Sequence, residues 1–188
     1  MHKTLSIVFT KSKKKFPIMS LLIRWWTEKG LFNLKDYSHV ARATEIRDWG
    51  KRFFQASEGK VNYEFEHFFY KKHQVVKQYD ILISPEMDRE IKKRCYEEAG
   101  NIYATMQNVG IFITDVILDL FRVKMKNPWT RGRNCSEILY SKCFKIMIPT
   151  LQYNENKIKP HEIEDIILEY FKQIESGHWV LKGNKYDI

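Results

Sequence analysis

The stretch Trp129-Thr130-Arg131-Gly132-Arg133-Asn134-Cys135-Ser136-Glu137-Ile138-Leu139 holds a helix start with a cysteine in its first turn. Asn134 is a good N-cap, and Glu137, three residues later, completes a variant of the capping box. Cys135 then sits where free backbone N–H groups and the helix dipole stabilise an anion. A thiolate is such an anion, and its pKa falls at a helix N-terminus. Arg131 and Arg133, just upstream, add to the same effect. The helix also has a plainer reading. Cys135, Ile138, Leu139, Cys143, Ile146 and Met147 share one face, the pattern of ordinary core with buried thiols. What separates the two readings is whether the rest of the chain supplies a base.

At 188 residues, with 44% hydrophobic and 29% charged residues, the chain has the makings of a single globular domain, 1–188. Its net charge of +9 favours acidic partners such as nucleic acid, an anionic cell-wall polymer or a lipid surface, without choosing among them. Cys95, Cys135 and Cys143 are widely spaced and form no CxxC pair, which argues against a zinc ribbon or a disulfide framework and for a reducing compartment. The N-terminal residues lack the apolar core and cleavage site of a signal peptide, and no apolar run is long enough for a membrane span. These features predict a cytoplasmic protein without a membrane span.

In chain order, Leu5 to Phe9 reads as a buried strand and Lys11 to Lys15 as a solvated loop. Pro17 to Trp26 reads as a helix closed by Gly30. Strands are expected over Tyr37 to Ile46, Lys51 to Ser57, Val61 to Phe65 and His73 to Ser84, an antiparallel meander of about four strands. In the third of these, Val61, Tyr63 and Phe65 alternate with Asn62, Glu64 and Glu66, predicting one buried and one wet face. His67 and His73 flank Lys71-Lys72 in an expected bend. Ser84-Pro85 opens a helix that stops at Gly100. Gly110 to Val123 reads as a buried helix, and Pro160 opens a last one. There Ile163, Ile166, Ile167, Tyr170, Phe171 and Ile174 form an apolar stripe and the outer face is charged. The fold class is α+β, an antiparallel meander packed against helices.

A nucleophilic cysteine needs a base in hydrogen-bond reach, and the base needs an orienting group. Of the six histidines, His2, His67, His73, His161 and His178 fall on termini, bends or helix surfaces. His39 instead opens a strand within Ser38-His39-Val40-Ala41, where small neighbours leave room for a thiol or substrate. The next strand carries Gln55. A hairpin turning about Arg47 or Asp48 pairs odd positions with odd, which directs His39 and Gln55 to one face. Gln55 can then hold one ring nitrogen and aim the other at the thiol. Glu58 is a rival for that third place.

Ser38-His39-Val40, then Gln55-Ala56 ahead of Gly59-Lys60-Val61, then Asn134-Cys135-Ser136-Glu137 resembles the circularly permuted papain-like (NlpC-type) cysteine amidases and peptidases. Gly100-Asn101-Ile102-Tyr103 resembles the Gly-x-x-Tyr such proteins place after their meander. The resemblance covers about residues 4–148, with the helix at about 160–175 packing on that core. It implies Cys135 as nucleophile, His39 as base, Gln55 as orienter, and the helix N-terminus packed on the strand face bearing His39. Many members carry Glu at the third position, so Gln55 is a departure. The implied activity is a hydrolase forming an acyl-enzyme on peptide-like amides, thioesters or esters, needing no metal or organic cofactor, from a bacterial or phage source and acting inside the cell or released by lysis.

Two other readings compete. Lys11 to Lys15, Lys71-Lys72, Lys92-Lys93 and the many aromatics would suit a nucleic-acid-binding protein, although the basic residues are dispersed. A catalytically inactive binding module on the same fold is the other. Trp25, Trp26, Phe53 and Phe54 are candidates either for an apolar acyl slot or for core.

Overall fold

The computed structural model describes residues 2–13, 37–46, 50–57, 60–101, 121–122, 134–153 and 158–175. Among them the fold is α+β: five strands form one antiparallel sheet, with helices on it. The strands are β1 (Lys3–Ser12), β2 (His39–Ile46), β3 (Gly50–Ser57), β4 (Lys60–Phe65) and β5 (His73–Ile83), arranged in the order β4-β3-β2-β1-β5. The meander therefore runs through β1 to β4. The segment expected to extend it, β5, instead crosses to the other edge and pairs with β1 along its whole length, from Lys3↔Ile83 to Ser12↔His73. That crossover is made by α1 (Glu66–Lys72), a short helix where a bend was expected. β1 is also longer than its apolar run, so Lys11 and Ser12 belong to the strand rather than to a loop.

Both sheet faces are covered. Leu5, Ile7, Phe9, Val40, Phe54, Ala56, Val61, Ile81 and Ile83 join the helices in one large cluster. Those helices are α2 (Pro85–Glu98), α3 (Cys135–Leu139), a π-helical turn (Tyr140–Phe144), α4 (Lys145–Met147) and α5 (Pro160–Glu175). On the other face Val8, Ala41, Ala43 and Phe53 pack against Phe69 of α1. Glu64 is buried on this side and Phe65 is 42% exposed, so the expected wet and dry sets of β4 are not observed. Phe53 and Phe54 lie in separate clusters and cannot line one slot.

The predicted signals at helix ends are present. Ser84 Oγ accepts the Met87 N–H at the start of α2, with Pro85 in the first turn. Gly100 ends that helix at φ +98°, a conformation favouring glycine. Its N–H donates to Val61 O, and Val61 N–H returns a bond to Asn101 O, which ties the helix exit to β4. In α5, Ile163, Ile166, Ile167 and Tyr170 are buried as the stripe requires. Glu164 is buried too, although it belongs to the charged set: it takes bonds from Tyr37 Oη (2.5 Å), Tyr79 Oη (2.6 Å) and Lys77 Nζ (2.7 Å), pinning the helix to the sheet. Among the described residues no helix is long and apolar enough to cross a membrane. The helices expected over Pro17 to Trp26 and Gly110 to Val123 lie outside the described residues or nearly so, as does the side chain of Ile174.

Candidate active site

The helix start folds as its residue types dictate. Asn134 is extended at φ −85°, ψ 169°, its Oδ1 accepts the Glu137 N–H at 2.7 Å, and Glu137 Oε2 accepts the Asn134 N–H at 3.4 Å. Every residue from Asn134 to Ser141 is buried, so this helix is enclosed on all sides rather than on one face. Its π-helical turn adds a residue and brings Tyr140, Ser141, Cys143 and Phe144 inside together.

His39 opens β2 opposite Thr10 of β1. The β2–β3 register, Arg42↔Phe54 and Ala43↔Phe53, pairs odd positions with odd, as a turn about Asp48 requires. Gln55 thus shares a face with His39, and its Oε1 lies 2.8 Å from His39 Nε2. That face carries Ala41, Ala43 and Phe53 toward α1, whereas Val40, Phe54 and Ala56 of the alternate set join Cys135, Ile138 and Leu139. The helix therefore packs on the set opposite to His39. The imidazole acts on the thiol from the start of β2, and Cys135 Sγ lies 3.9 Å from Ser136 Oγ.

Cys135 is 6% exposed and His39 9%. Burial pushes the Cys135 thiol up, but the charge and hydrogen bond of His39, with help from the Val40 backbone and the Ser136 hydroxyl, hold it below its ordinary range. Burial likewise acts to lower the His39 imidazole, and is outweighed by the charge and hydrogen bond of Cys135, the bond to Gln55 and the charge of Glu64, which raise it. Both shifts favour the same state, a thiolate beside an imidazolium. Since Gln55 occupies Nε2, Nδ1 is the nitrogen left for the thiol.

Two features of the site were not legible in advance. Glu64 stands behind Gln55, its Oε2 2.5 Å from Gln55 Nε2 and its Oε1 2.7 Å from Lys72 Nζ. His73 stacks on His39 with centroids 5.1 Å apart and planes at 20°. It continues a column through Phe69 (4.8 Å) to Phe53 (3.8 Å), which fixes the plane of the His39 ring. The signal for Glu64 lay in the β3–β4 hairpin, where Phe53↔Glu64 and Gln55↔Asn62 make Gln55 and Glu64 diagonal neighbours. Arg131, Arg133, Glu58, Trp25 and Trp26 lie outside the described residues.

The other thiols are elsewhere. Cys95 and Cys143 are fully buried in the core. A hydrogen bond from Cys143, then the charge of Arg42, hold Cys95 low against burial, while the same bond and burial push Cys143 up. Arg42 Nη1 lies 3.5 Å from Cys95 Sγ, and its Nη2 pairs with Asp88 at 3.3 Å.

Comparison of the chain with protein-family models, with curated proteins and with solved structures finds no match.

Proposed function

We propose that the protein is a cysteine hydrolase of circularly permuted papain-like fold, in which Cys135 is the nucleophile, His39 the base and Gln55 the orienting residue. The observation that carries this reading is the 2.8 Å bond between Gln55 Oε1 and Nε2 of His39, beside a Cys135 thiol that burial pushes up but the charge of His39 holds below its ordinary range. In the thiolate–imidazolium state Cys135 attacks the carbonyl carbon of an amide, thioester or ester. The backbone N–H of Cys135 faces the developing oxyanion, and His39 returns its proton to the leaving group. Water, deprotonated by His39, then attacks the acyl-thioester carbonyl and restores the thiol. Against a nucleic-acid surface, Lys72 and Lys92 are each paired with a buried carboxylate, Glu64 and Asp88, at 2.7 Å.

Acylation by p-nitrophenyl acetate, mapped by peptide mass, tests the assignment. Cys135 is expected to be acylated first, with the rate falling about 10²-fold or more in His39→Ala, as loss of a positioned base does. Equal acylation of Cys95 or Cys143, or an unchanged rate in His39→Ala, overturns it.

A further inference from the structure

A glutamine is an ambiguous orienter. Its amide presents an acceptor on one side and a donor on the other, and only its partners decide which side faces the histidine. If the carbonyl faces Nε2, that nitrogen must carry hydrogen and Nδ1 is bare in the neutral ring, able to take a proton from the thiol. If the amide nitrogen faces Nε2, the neutral ring carries its hydrogen on Nδ1, and the base is blocked. A carboxylate behind the amide removes the ambiguity, because an ionised carboxylate has no hydrogen to donate. Glu64 Oε2 is 2.5 Å from Gln55 Nε2, so the NH₂ must point to Glu64 and the carbonyl to His39. Lys72 Nζ lies 2.7 Å from the other carboxylate oxygen, so Glu64 is bonded at both oxygens, to the amide and to an ammonium.

We propose that Glu64 is a positioning residue that sets the amide orientation of Gln55 and, through it, the Nε2–H tautomer of His39. This rests on the reading of His39 as base. The relay also accounts for a neutral residue at position 55. A carboxylate there would stand in contact with Glu64, and two carboxylates at that distance cannot both ionise. Gln55 and Glu64 together thus perform the task of one carboxylate, displaced by a side chain toward Lys72.

The test uses Glu64→Gln, Gln55→Glu and the double variant that exchanges the two residues. Imidazole ¹⁵N shifts report the tautomer of His39, and the iodoacetamide rate at Cys135 against pH reports the thiolate. Wild type is expected to hold neutral His39 as the Nε2–H form. Glu64→Gln is expected to populate the Nδ1–H form and to slow alkylation at about pH 6 roughly tenfold, a midpoint shift of about one pH unit. The exchange variant, with one carboxylate again against Nε2–H, is expected to recover the Nε2–H tautomer of wild type. Gln55→Glu alone is expected to differ from both, by taking up a proton between the two carboxylates. An unchanged tautomer and an unchanged profile in folded Glu64→Gln overturn the proposal. Should that variant not fold, failure of the exchange variant to recover the wild-type tautomer overturns it. The tautomer is read without any reaction, so its failure is separable from failure of Cys135 to be acylated.

Discussion

Nε2 of His39 lies 2.8 Å from Oε1 of Gln55, and the two side chains are brought together by a hairpin register that pairs Ala43 with Phe53. Alternation along two neighbouring strands thereby commits the Nε2 nitrogen of His39 to Gln55.

Asn134 caps the helix that carries Cys135, through a bond of 2.7 Å to the Glu137 N–H. Asn134→Ala is expected to lower stability by about 1 kcal/mol, and Asn134→Asp to retain most of it. Urea unfolding of the variants measures both.

Phe69 stacks on Phe53 at 3.8 Å and on His73 at 4.8 Å, and is fully buried. Phe69→Ala should cost about 3–5 kcal/mol from lost burial and the cavity left behind. Phe69→Leu, which fills most of that space, should cost less and still loosen the ring column behind His39. Thermal melts, with the His39 ¹⁵N signals as a second readout, distinguish the two effects.

The pair of Arg42 and Asp88 is buried, at 1% and 7% side-chain exposure. Removing Asp88 leaves the Arg42 guanidinium without its carboxylate, and Asp88→Ala should cost about 3–5 kcal/mol. Arg42→Met leaves Asp88 still paired to Lys92 at 2.7 Å, so it should cost clearly less. Equal urea midpoints for the two variants would contradict this account of the core.

Glu164 gives the molecule an acid limb. Burial acts to raise its carboxyl, but bonds from Lys77, Tyr37 and Tyr79 outweigh it and pull it down to about 2. Because the folded value is depressed, its contribution is complete above the unfolded value of about 4.3 and is lost as pH falls toward 2. The contribution is of order 3 kcal/mol. Glu164→Gln should be less stable at neutral pH and should show a flatter decline of stability between about pH 4.3 and pH 2. Urea midpoints across that range provide the check.

The parts of this architecture that were legible are those governed by local chemistry. Asn134 and Glu137 announce a helix start because their side chains satisfy nearby N–H groups. Ser84-Pro85 does the same for α2, and the register of β2 on β3 follows from turn position alone. The parts that were not legible depend on contacts remote in the chain. Helix α1 is only seven residues, too short to stand by propensity, and exists because Phe69 finds Phe53. The exchange of β5 from β4 to β1 is a choice of partner that alternation does not encode. Glu64 reads as a wet-face residue until α1 covers it, and Glu164 reads as outer surface until Tyr37, Tyr79 and Lys77 close on it. In both cases a carboxylate was buried by partners that its own strand or helix does not contain.

The pairing of Cys135 with His39 is tested most directly by the rate of iodoacetamide alkylation at Cys135 as a function of pH, in wild type and in His39→Ala. The thiol is held low by His39 and the imidazole is raised by the thiol, so wild type should react rapidly well below the ordinary thiol range. In His39→Ala the charge of the imidazole is gone and burial acts to raise the thiol, so fast reaction should begin only in the ordinary thiol range or above it. A wild-type profile that coincides with that of His39→Ala would contradict the account.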